Sequence, residues 1–185
     1  MSTPHRASPG APLEARVRAE IRDVPDFPRP GVLFRDLTPV LARPELFQEV
    51  VAHLARASQG MEVDRVAGIE ARGFLFGAPL ALALGRGFLP VRKQGRLPLA
   101  TSPAEYELEY GVDALEAQAG AVRPGERILL VDDLLATGGT AQAAAGLLRE
   151  MGGEVVGGAF VVELAGMNGR CRLGAIPVTS LVLYP

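Results

Sequence analysis

The sequence is poor in the residues that build disulfide frameworks and metal centres. Its one cysteine, Cys171, cannot form a disulfide within the chain, and a reducing compartment such as the cytoplasm is expected. With only two histidines, His5 and His53, no zinc site of the usual pattern is predicted. The apolar runs are too short to span a bilayer. The formal net charge of −2 gives no reason to expect binding to nucleic acid or to a membrane surface.

Lysine is nearly absent. Of the 19 basic residues, only Lys93 is a lysine and the other eighteen are arginines. Lys93 follows Arg92 in the sequence VRKQGR. Lysine is a compact charge on a flexible stem, whereas arginine is a planar fork, so a single lysine here suits a site that grips one oxygen of an anion. A solvated basic pair and chance placement are the plainer alternatives, and both stay open.

The length of 185 residues and the ordinary content of apolar and charged residues are typical of one globular domain. Residues 1–12 are rich in Pro, Ser, Ala and Gly and lack the apolar core of a signal peptide. The sequence therefore predicts a disordered tail over residues 1–12 and a single domain over residues 13–185.

The spacing of apolar residues predicts alternating helices and strands. Helices are predicted over residues 13–22, 44–59, 74–84 and 140–151. Strands are predicted over residues 65–69, 87–92, 128–131 and 154–163. A long hairpin is expected within residues 94–111, with a further short strand over 114–118, whereas three prolines make residues 23–31 irregular. This alternation indicates a parallel α/β sheet, whose ligands bind at the carboxyl ends of the strands.

The stretch VDDLLATGGT, Val131 to Thr140, carries the strongest chemical signal. An apolar run leads into the carboxylates of Asp132 and Asp133, and a turn of small residues then precedes a helix. Glycines, hydroxyl groups and the N–H groups of a helix N-terminus together suit a phosphate. The stretch contains neither GxxxxGK[ST] nor GxGxxG, which argues against a P-loop and a dinucleotide site. Paired carboxylates suit sugar hydroxyls or a divalent cation, and an ordinary strand-to-helix turn is the alternative.

This stretch resembles the loop of the type I phosphoribosyltransferases that binds 5-phospho-α-D-ribose 1-diphosphate (PRPP). Other segments resemble further landmarks of that family, in the same order: DFPRPGVLFRDLTPVL (26–41) its purine-side segment, GIEARGFLFG (68–77) its pyrophosphate loop, PVRKQGRLP (90–98) the base of its flap, and YELEYG (106–111) the return strand of that flap. The resemblance covers the chain from about Val17 to its end. It implies a central parallel sheet flanked by helices, with a flexible flap hairpin over about 94–111 and an N-terminal purine-side segment.

The resemblance also implies the roles of individual residues. Catalytic roles are expected for Glu109, as the acid/base residue for the purine's imidazole proton, and for Arg72 and Lys93. PRPP and AMP are expected to bind to Glu70, Ala71, Arg72, Arg92, Lys93, Tyr110, Asp132, Asp133, Ala136, Thr137, Gly138, Gly139 and Thr140. Leu33, Phe34 and Arg35 are expected to bind the base. Mg²⁺ is expected to be held mainly by PRPP and water, near the two aspartates, and a homodimer is expected to supply the partner's Arg92.

The sequences of these segments most resemble those of the adenine-using members of the family, which make AMP and diphosphate from adenine and PRPP in purine salvage. A 6-oxopurine enzyme is the nearest alternative. Such enzymes typically use a lysine in the C-terminal half and a Glu-Asp pair, but here no lysine follows Lys93 and the pair is Asp-Asp. A PRPP- or purine-sensing regulator and a plain nucleotide-binding module are further alternatives. Glu109 and Phe34 also have plainer explanations, as a solvated hairpin carboxylate and a core ring.

Overall fold

A computed structural model describes residues 10–98, 101–108 and 111–185, and the contacts divide the chain into two compact units, Met1–Ala52 and His53–Pro185. Most of the tail predicted for residues 1–12 lies outside the described residues, and the single domain over 13–185 stays a prediction. No helix in the described ranges combines the length and the apolar character that crossing a bilayer requires.

The first unit contains short elements packed on a small apolar centre. In chain order they are α1 (Leu13–Glu20), β1 (Arg22–Pro25), β2 (Leu33–Asp36), α2 (Thr38–Leu41) and the start of α3 (Pro44–Ala57). Val17, Val40 and Val50 are fully buried there. The expectation that residues 23–31 are irregular is wrong at its start, because β1 pairs antiparallel with β2. Pro25 is tolerated because it stands at the end of an edge strand.

The second unit is a seven-stranded sheet with helices on both faces. Its strands are β3 (Arg65–Ile69), β4 (Gly87–Lys93), β5 (Thr101–Leu108), β6 (Gly111–Gln118), β7 (Arg127–Leu135), β8 (Glu154–Leu164) and β9 (Val178–Tyr184). Its helices are α4 (Arg72–Leu84), α5 (Gly139–Glu150) and α6 (Gly169–Leu173), and a 3₁₀ turn covers Ala165–Met167. The order is β5-β6-β4-β3-β7-β8-β9, in which β4, β3, β7, β8 and β9 are parallel. The predicted α/β class is therefore confirmed.

The two long helices of this unit cover opposite faces of the sheet. Ala67 and Ile69 of β3 belong to one apolar cluster with Ala144 and Leu148 of α5. The residue between them, Gly68, points to the other face, where a Cβ atom would lie 3.2 Å from the carbonyl oxygen of Gly73 at the start of α4. The carboxyl ends of β3 and β7 thus lead into helices at the same edge of the sheet.

The hairpin and the central strand differ from the prediction. The assignment of residues 106–111 to the return strand of the flap is wrong, because Tyr106–Leu108 end β5 and Gly111 begins β6. The strand expected over 114–118 is the end of β6, which reaches far enough to pair Glu116 with Arg92 of β4. Strand β7 is longer than the predicted 128–131, because β8 pairs with it as far as Leu135.

Candidate active site

A cavity of about 200 Å³ lies where β7 leads into α5. Arg72 and the continuous stretch of residues 132–141 line it. The first turn of α5 is part of this lining, and the N–H groups of a first helical turn have no partner within the helix. Two carboxylates, a turn of small residues and a helix N-terminus therefore line one cavity.

Gly138, at the centre of the turn, is required by both conformation and space. Its φ of +81° lies in the left-handed region, which side chains other than glycine rarely adopt. A Cβ atom at Gly138 would also lie 2.5 Å from the carbonyl oxygen of Gly169. The back of the turn is thus packed directly on the main chain at the start of α6.

Asp132 and Asp133 form a carboxylate pair with little access to water. Asp133 is buried, and its Oδ2 lies 2.5 Å from Nε of Arg72. This contact is an ion pair without hydrogen-bond alignment, since Oδ2 accepts no hydrogen bond among the described residues. Oδ1 of Asp132 accepts the main-chain N–H of Asp133 at 2.8 Å. Burial, and then the charge of Asp133, raises the pKa of Asp132 well above its usual range. Because Oδ2 of Asp133 accepts no hydrogen bond among the described residues, it can accept one from a hydroxyl group of a ligand.

Arg72 reaches this pair because α4 begins close to β7. The helix starts at Arg72, and the next residue is Gly73. A Cβ atom at Gly73 would lie 2.7 Å from the carbonyl oxygen of Val131 and 3.0 Å from Oδ1 of Asp132. Glycine at this position therefore lets the first turn of α4 sit against the carboxylates.

Glu70, Arg92 and Lys93 meet where β3 and β4 end. Nε and Nη2 of Arg92 each donate a hydrogen bond of 3.1 Å to Glu70, and the main-chain N–H of Lys93 donates one of 3.0 Å. The hydrogen bond from Arg92 is the largest cause that lowers the pKa of Glu70. The peptide bond between Glu70 and Ala71 is cis. The resemblance to the family implies that Arg92 reaches the diphosphate of a partner subunit, which stays a prediction, and in this chain Arg92 donates hydrogen bonds to its own Glu70.

Glu116 is a site-supporting residue that the sequence did not reveal. Its side chain is buried, and Oε1 accepts the main-chain N–H groups of Arg96 and Leu97 at 2.9 and 2.8 Å. These bonds fasten the segment after Lys93 to β6, at the base of the hairpin. A carboxylate within the otherwise apolar run of residues 114–117 was the signal that could have identified it.

The three residues predicted to bind the base lie in β2 of the first unit. Leu33 is 46% exposed, Phe34 is half-buried, and Arg35 forms an ion pair with Asp23. The ring of Phe34 meets that of Phe27 edge to face, with 5.1 Å between the ring centres. Since β2 belongs to a two-stranded sheet, half of its main-chain groups face away from β1. Phe34 is therefore not a fully buried core ring, and β2 has main-chain groups that can form hydrogen bonds with the edge of a planar ligand.

Glu109 and Tyr110 lie outside the described residues, as do Leu99 and Ala100. The strands on either side, β5 and β6, are antiparallel, which agrees with the hairpin expected for a flap. The acid/base role of Glu109 and the closing role of Tyr110 stay predictions.

The chain is similar to known phosphoribosyltransferases over most of its length. The family model of the phosphoribosyl transferase domain matches residues 38–173. The adenine phosphoribosyltransferase of Thermosynechococcus vestitus is 52% identical over 168 residues, which cover 91% of this chain and 99% of that protein. The solved adenine phosphoribosyltransferase of Thermoanaerobacter pseudethanolicus has a TM-score of 0.91 and 48% identity, over 94% of this chain and 100% of that one. The enzyme of Saccharomyces cerevisiae, solved with D-2,5-dideoxy-2,5-imino-altritol 1,6-bisphosphate and adenine, has a TM-score of 0.85 and 41% identity, over 91% and 98% of the chains. The chain belongs to the adenine phosphoribosyltransferases, the purine-salvage glycosyltransferases of this family.

Proposed function

We propose that this chain joins N9 of adenine to C1′ of PRPP, releasing diphosphate and forming AMP. The observation that carries the proposal is that the glycine- and threonine-containing turn and the carboxylate pair line the same cavity. The yeast relative, solved with adenine and a bisphosphate of an imino sugar, supports a nucleobase and a phosphorylated sugar as ligands of this fold. With a single cysteine in the chain, we place the reaction in the cytoplasm.

The turn and the start of α5 are assigned to the 5′-phosphate. Main-chain N–H groups of residues 136–140 and the hydroxyls of Thr137 and Thr140 supply neutral donors. The positive end of the dipole of α5 adds favourable potential at the same place. This half of PRPP does not react, so its binding energy positions C1′ for the reaction.

Asp132 and Asp133 are assigned to the two ribose hydroxyls. Carboxyl oxygens suit sugar hydroxyls, and Oδ2 of Asp133 accepts no other hydrogen bond among the described residues. Carboxylate oxygens are also suitable ligands for Mg²⁺, so the pair fits a Mg²⁺ held mainly by PRPP and water. In the described part of the chain, no group of three or more His, Cys, Asp or Glu side chains could hold a metal ion. When bound, Mg²⁺ would neutralise charge on the leaving diphosphate.

The diphosphate is assigned to Glu70, Ala71, Arg72, Lys93 and the partner's Arg92. Main-chain groups of Glu70 and Ala71, rather than the Glu70 carboxylate, would face this anion, because that carboxylate is occupied by Arg92. As the bond between C1′ and the diphosphate breaks, its electron pair leaves with the diphosphate, and the positive charges stabilise the negative charge that develops there.

A homodimer is the proposed assembly. Helix α4 carries Leu75 and Leu82, seven residues apart, and their exposed fractions are 47% and 82%. Residues seven apart lie on one face of a helix, and exposed leucines on one face are typical of an interface. The same helix begins at Arg72, so an interface along it would approach the diphosphate end of the site.

Adenine is assigned to β2, with its ring on Phe34 and its edge on main-chain groups of Leu33 and Arg35. As the diphosphate leaves, C1′ becomes electron-poor and N9 attacks it. Glu109 accepts the proton that the imidazole ring loses. The hairpin of β5 and β6 is assigned to the flap, which excludes water from C1′ during this step.

Base selectivity tests the proposed function. With PRPP and Mg²⁺, we expect turnover of adenine and at least about 100-fold lower kcat/KM for hypoxanthine, guanine and xanthine. Main-chain groups that pair with a 6-amino group would lose that hydrogen bond when a 6-oxo group takes its place. A spectrophotometric assay of the four bases measures this ratio. An enzyme that turns over hypoxanthine or guanine but not adenine would contradict the proposal.

The Glu109→Ala variant tests the acid/base assignment. We expect kcat to fall about 100-fold, within the range for a lost general acid or base, while the Kd for PRPP stays within about twofold. Single-turnover kinetics and calorimetric titration with PRPP separate these two quantities. Equal losses in kcat and in PRPP affinity would instead indicate a binding role for Glu109.

The Lys93→Arg variant tests the meaning of the single lysine. We expect the KM for PRPP to rise about tenfold, because the planar guanidinium cannot place its charge as a compact ammonium does. The main-chain hydrogen bond from residue 93 to Glu70 is unchanged by this substitution. Unchanged kinetics would show that the lysine occurs at this position by chance.

A further inference from the structure

Glu163 is a buried carboxylate to which the proposed reaction gives no task. It lies on β8 and pairs with Leu135, the last residue of β7 before the turn that lines the cavity. Both of its oxygens are used: Oε1 accepts Nε of Arg170 at 2.6 Å, and Oε2 accepts the hydroxyl of Ser180 at 2.6 Å. Arg170 also donates from Nη1 to the carbonyl oxygen of Val178 at 2.7 Å. Two strands therefore hold the guanidinium of Arg170 in one place.

The residue before Arg170 touches the back of the phosphate turn. A Cβ atom at Gly169 would lie 2.3 Å from the carbonyl oxygen of Ala136 and 3.1 Å from the main-chain nitrogen of Gly138. In the reverse direction, a Cβ atom at Gly138 would lie 2.5 Å from the carbonyl oxygen of Gly169. The two main-chain segments are packed so closely that neither can move toward the other, and a shift of Gly169 opens space behind the turn.

Gly169 has no side chain with which to hold its own position. Arg170, the next residue in the chain, supplies the nearest fixed point, through its bonds to Glu163 and to Val178. We infer that Glu163 is a positioning residue for the 5′-phosphate of PRPP, which acts through Arg170 and Gly169 to fix the conformation of the turn at residues 136–138. This inference rests on the proposed assignment of that turn to the 5′-phosphate.

Burial and hydrogen bonding shift the pKa of Glu163 in opposite directions. Burial alone would raise the pKa of its carboxyl, but the hydrogen bonds from Arg170 and Ser180 outweigh burial and lower it. The carboxylate is thus ionised and fully engaged near neutral pH, as a fixed anchor must be. Glu163 would act on the turn through Arg170 and Gly169, without direct contact with the ligand.

The second unit offers a matched control at the opposite end of β7. Glu126 is likewise buried, and it accepts hydrogen bonds from the main-chain N–H and from Nη2 of Arg123 at 3.0 and 2.9 Å. Its ion pair with Arg65 measures 3.0 Å. Glu126 precedes the first residue of β7, whereas the phosphate turn follows the last one. Substitution there disturbs a buried carboxylate without disturbing the turn.

The experiment compares Glu163→Gln with Glu126→Gln by steady-state kinetics and thermal unfolding. For Glu163→Gln we expect the KM for PRPP to rise about tenfold, because a misplaced binding group costs affinity, while the KM for adenine and kcat stay within twofold. For Glu126→Gln we expect a lower Tm and an unchanged KM for PRPP. Arg170→Lys keeps the charge but shortens the fork, and it should raise the KM for PRPP in the same way even if Glu163→Gln does not fold.

Three outcomes would overturn the inference. An unchanged KM for PRPP in the folded Glu163→Gln and Arg170→Lys variants would show that the cluster only stabilises the fold. Equal increases in that KM for Glu163→Gln and Glu126→Gln would indicate general destabilisation. A failure of the unsubstituted chain to show saturation with PRPP would overturn the proposed function itself, and the inference with it.

Discussion

Replacement of Gly138 by alanine should lower kcat/KM for PRPP by at least about 100-fold, because a displacement of about 1 Å in a positioning element can cost that much. Two effects combine at this position. The φ of +81° is unfavourable for alanine, and the added Cβ atom would lie 2.5 Å from the carbonyl oxygen of Gly169. Because that neighbour is main chain and not a flexible side chain, the turn itself has to move. Calorimetric titration with AMP and steady-state kinetics with PRPP measure the loss.

Gly120 provides the control for Gly138. Its φ of +74° is also in the left-handed region, but no atom lies within 4 Å of a Cβ atom built there. Gly120→Ala should therefore cost about 1–2 kcal/mol of stability from the backbone conformation alone. Its KM for PRPP should stay at the wild-type value. If Gly138→Ala behaved like Gly120→Ala, the packing of the turn on Gly169 would not matter for binding.

Replacement of Asp133 by asparagine should weaken PRPP binding by about 10- to 150-fold, which corresponds to the loss of one charge-assisted hydrogen bond worth about 1.5–3 kcal/mol. The side chain keeps its size but loses its charge, and with it the ion pair to Arg72 at 2.5 Å. The amide can also turn an N–H group toward a ribose hydroxyl. Titration with ribose 5-phosphate measures the change, since this ligand carries the hydroxyls without the diphosphate.

Asp64→Asn is the control for this substitution. Asp64 pairs with Arg127 at the beginning of β7, far along the strand from Asp133, and its hydrogen bonds to Arg127 lower its pKa to about 2. Loss of that pair should lower the Tm above pH 4, where the carboxylate is ionised in both the folded and unfolded states. Ribose 5-phosphate affinity should not change. A similar loss of affinity in both variants would remove the case for a specific role of Asp133.

The sequence was sufficient to predict the elements with strong apolar patterns. The strand over residues 65–69 was predicted with its observed ends, and the helices at α3, α4 and α5 within about two residues, because each carries a marked apolar pattern. Short elements escaped prediction. Helix α2 has four residues, and β9 shows no marked alternation, so pairing with β8 rather than local pattern defines it.

The candidate site was predictable where its residues are consecutive in the sequence, and at Arg72, which the resemblance to the family indicated. Residues 132–140 form one motif, and the cavity confirms that they lie together. Glu116 was not recognised as a support, because its partners Arg96 and Leu97 lie about twenty residues away along the chain and meet it only through the pairing of strands. A buried carboxylate in an apolar strand indicates that a partner exists, but its identity depends on strand order, which the sequence does not show.

The crystal structure of the chain with PRPP and Mg²⁺ is the most direct test of the proposed site. We expect the 5′-phosphate between residues 136 and 140, within hydrogen-bond distance of their main-chain nitrogens and of the hydroxyls of Thr137 and Thr140. The ribose hydroxyls should lie within about 3.2 Å of the carboxylates of Asp132 and Asp133. A 5′-phosphate bound elsewhere, or ribose hydroxyls turned away from both aspartates, would contradict the assignment of this cavity to the ribose 5-phosphate half of the substrate.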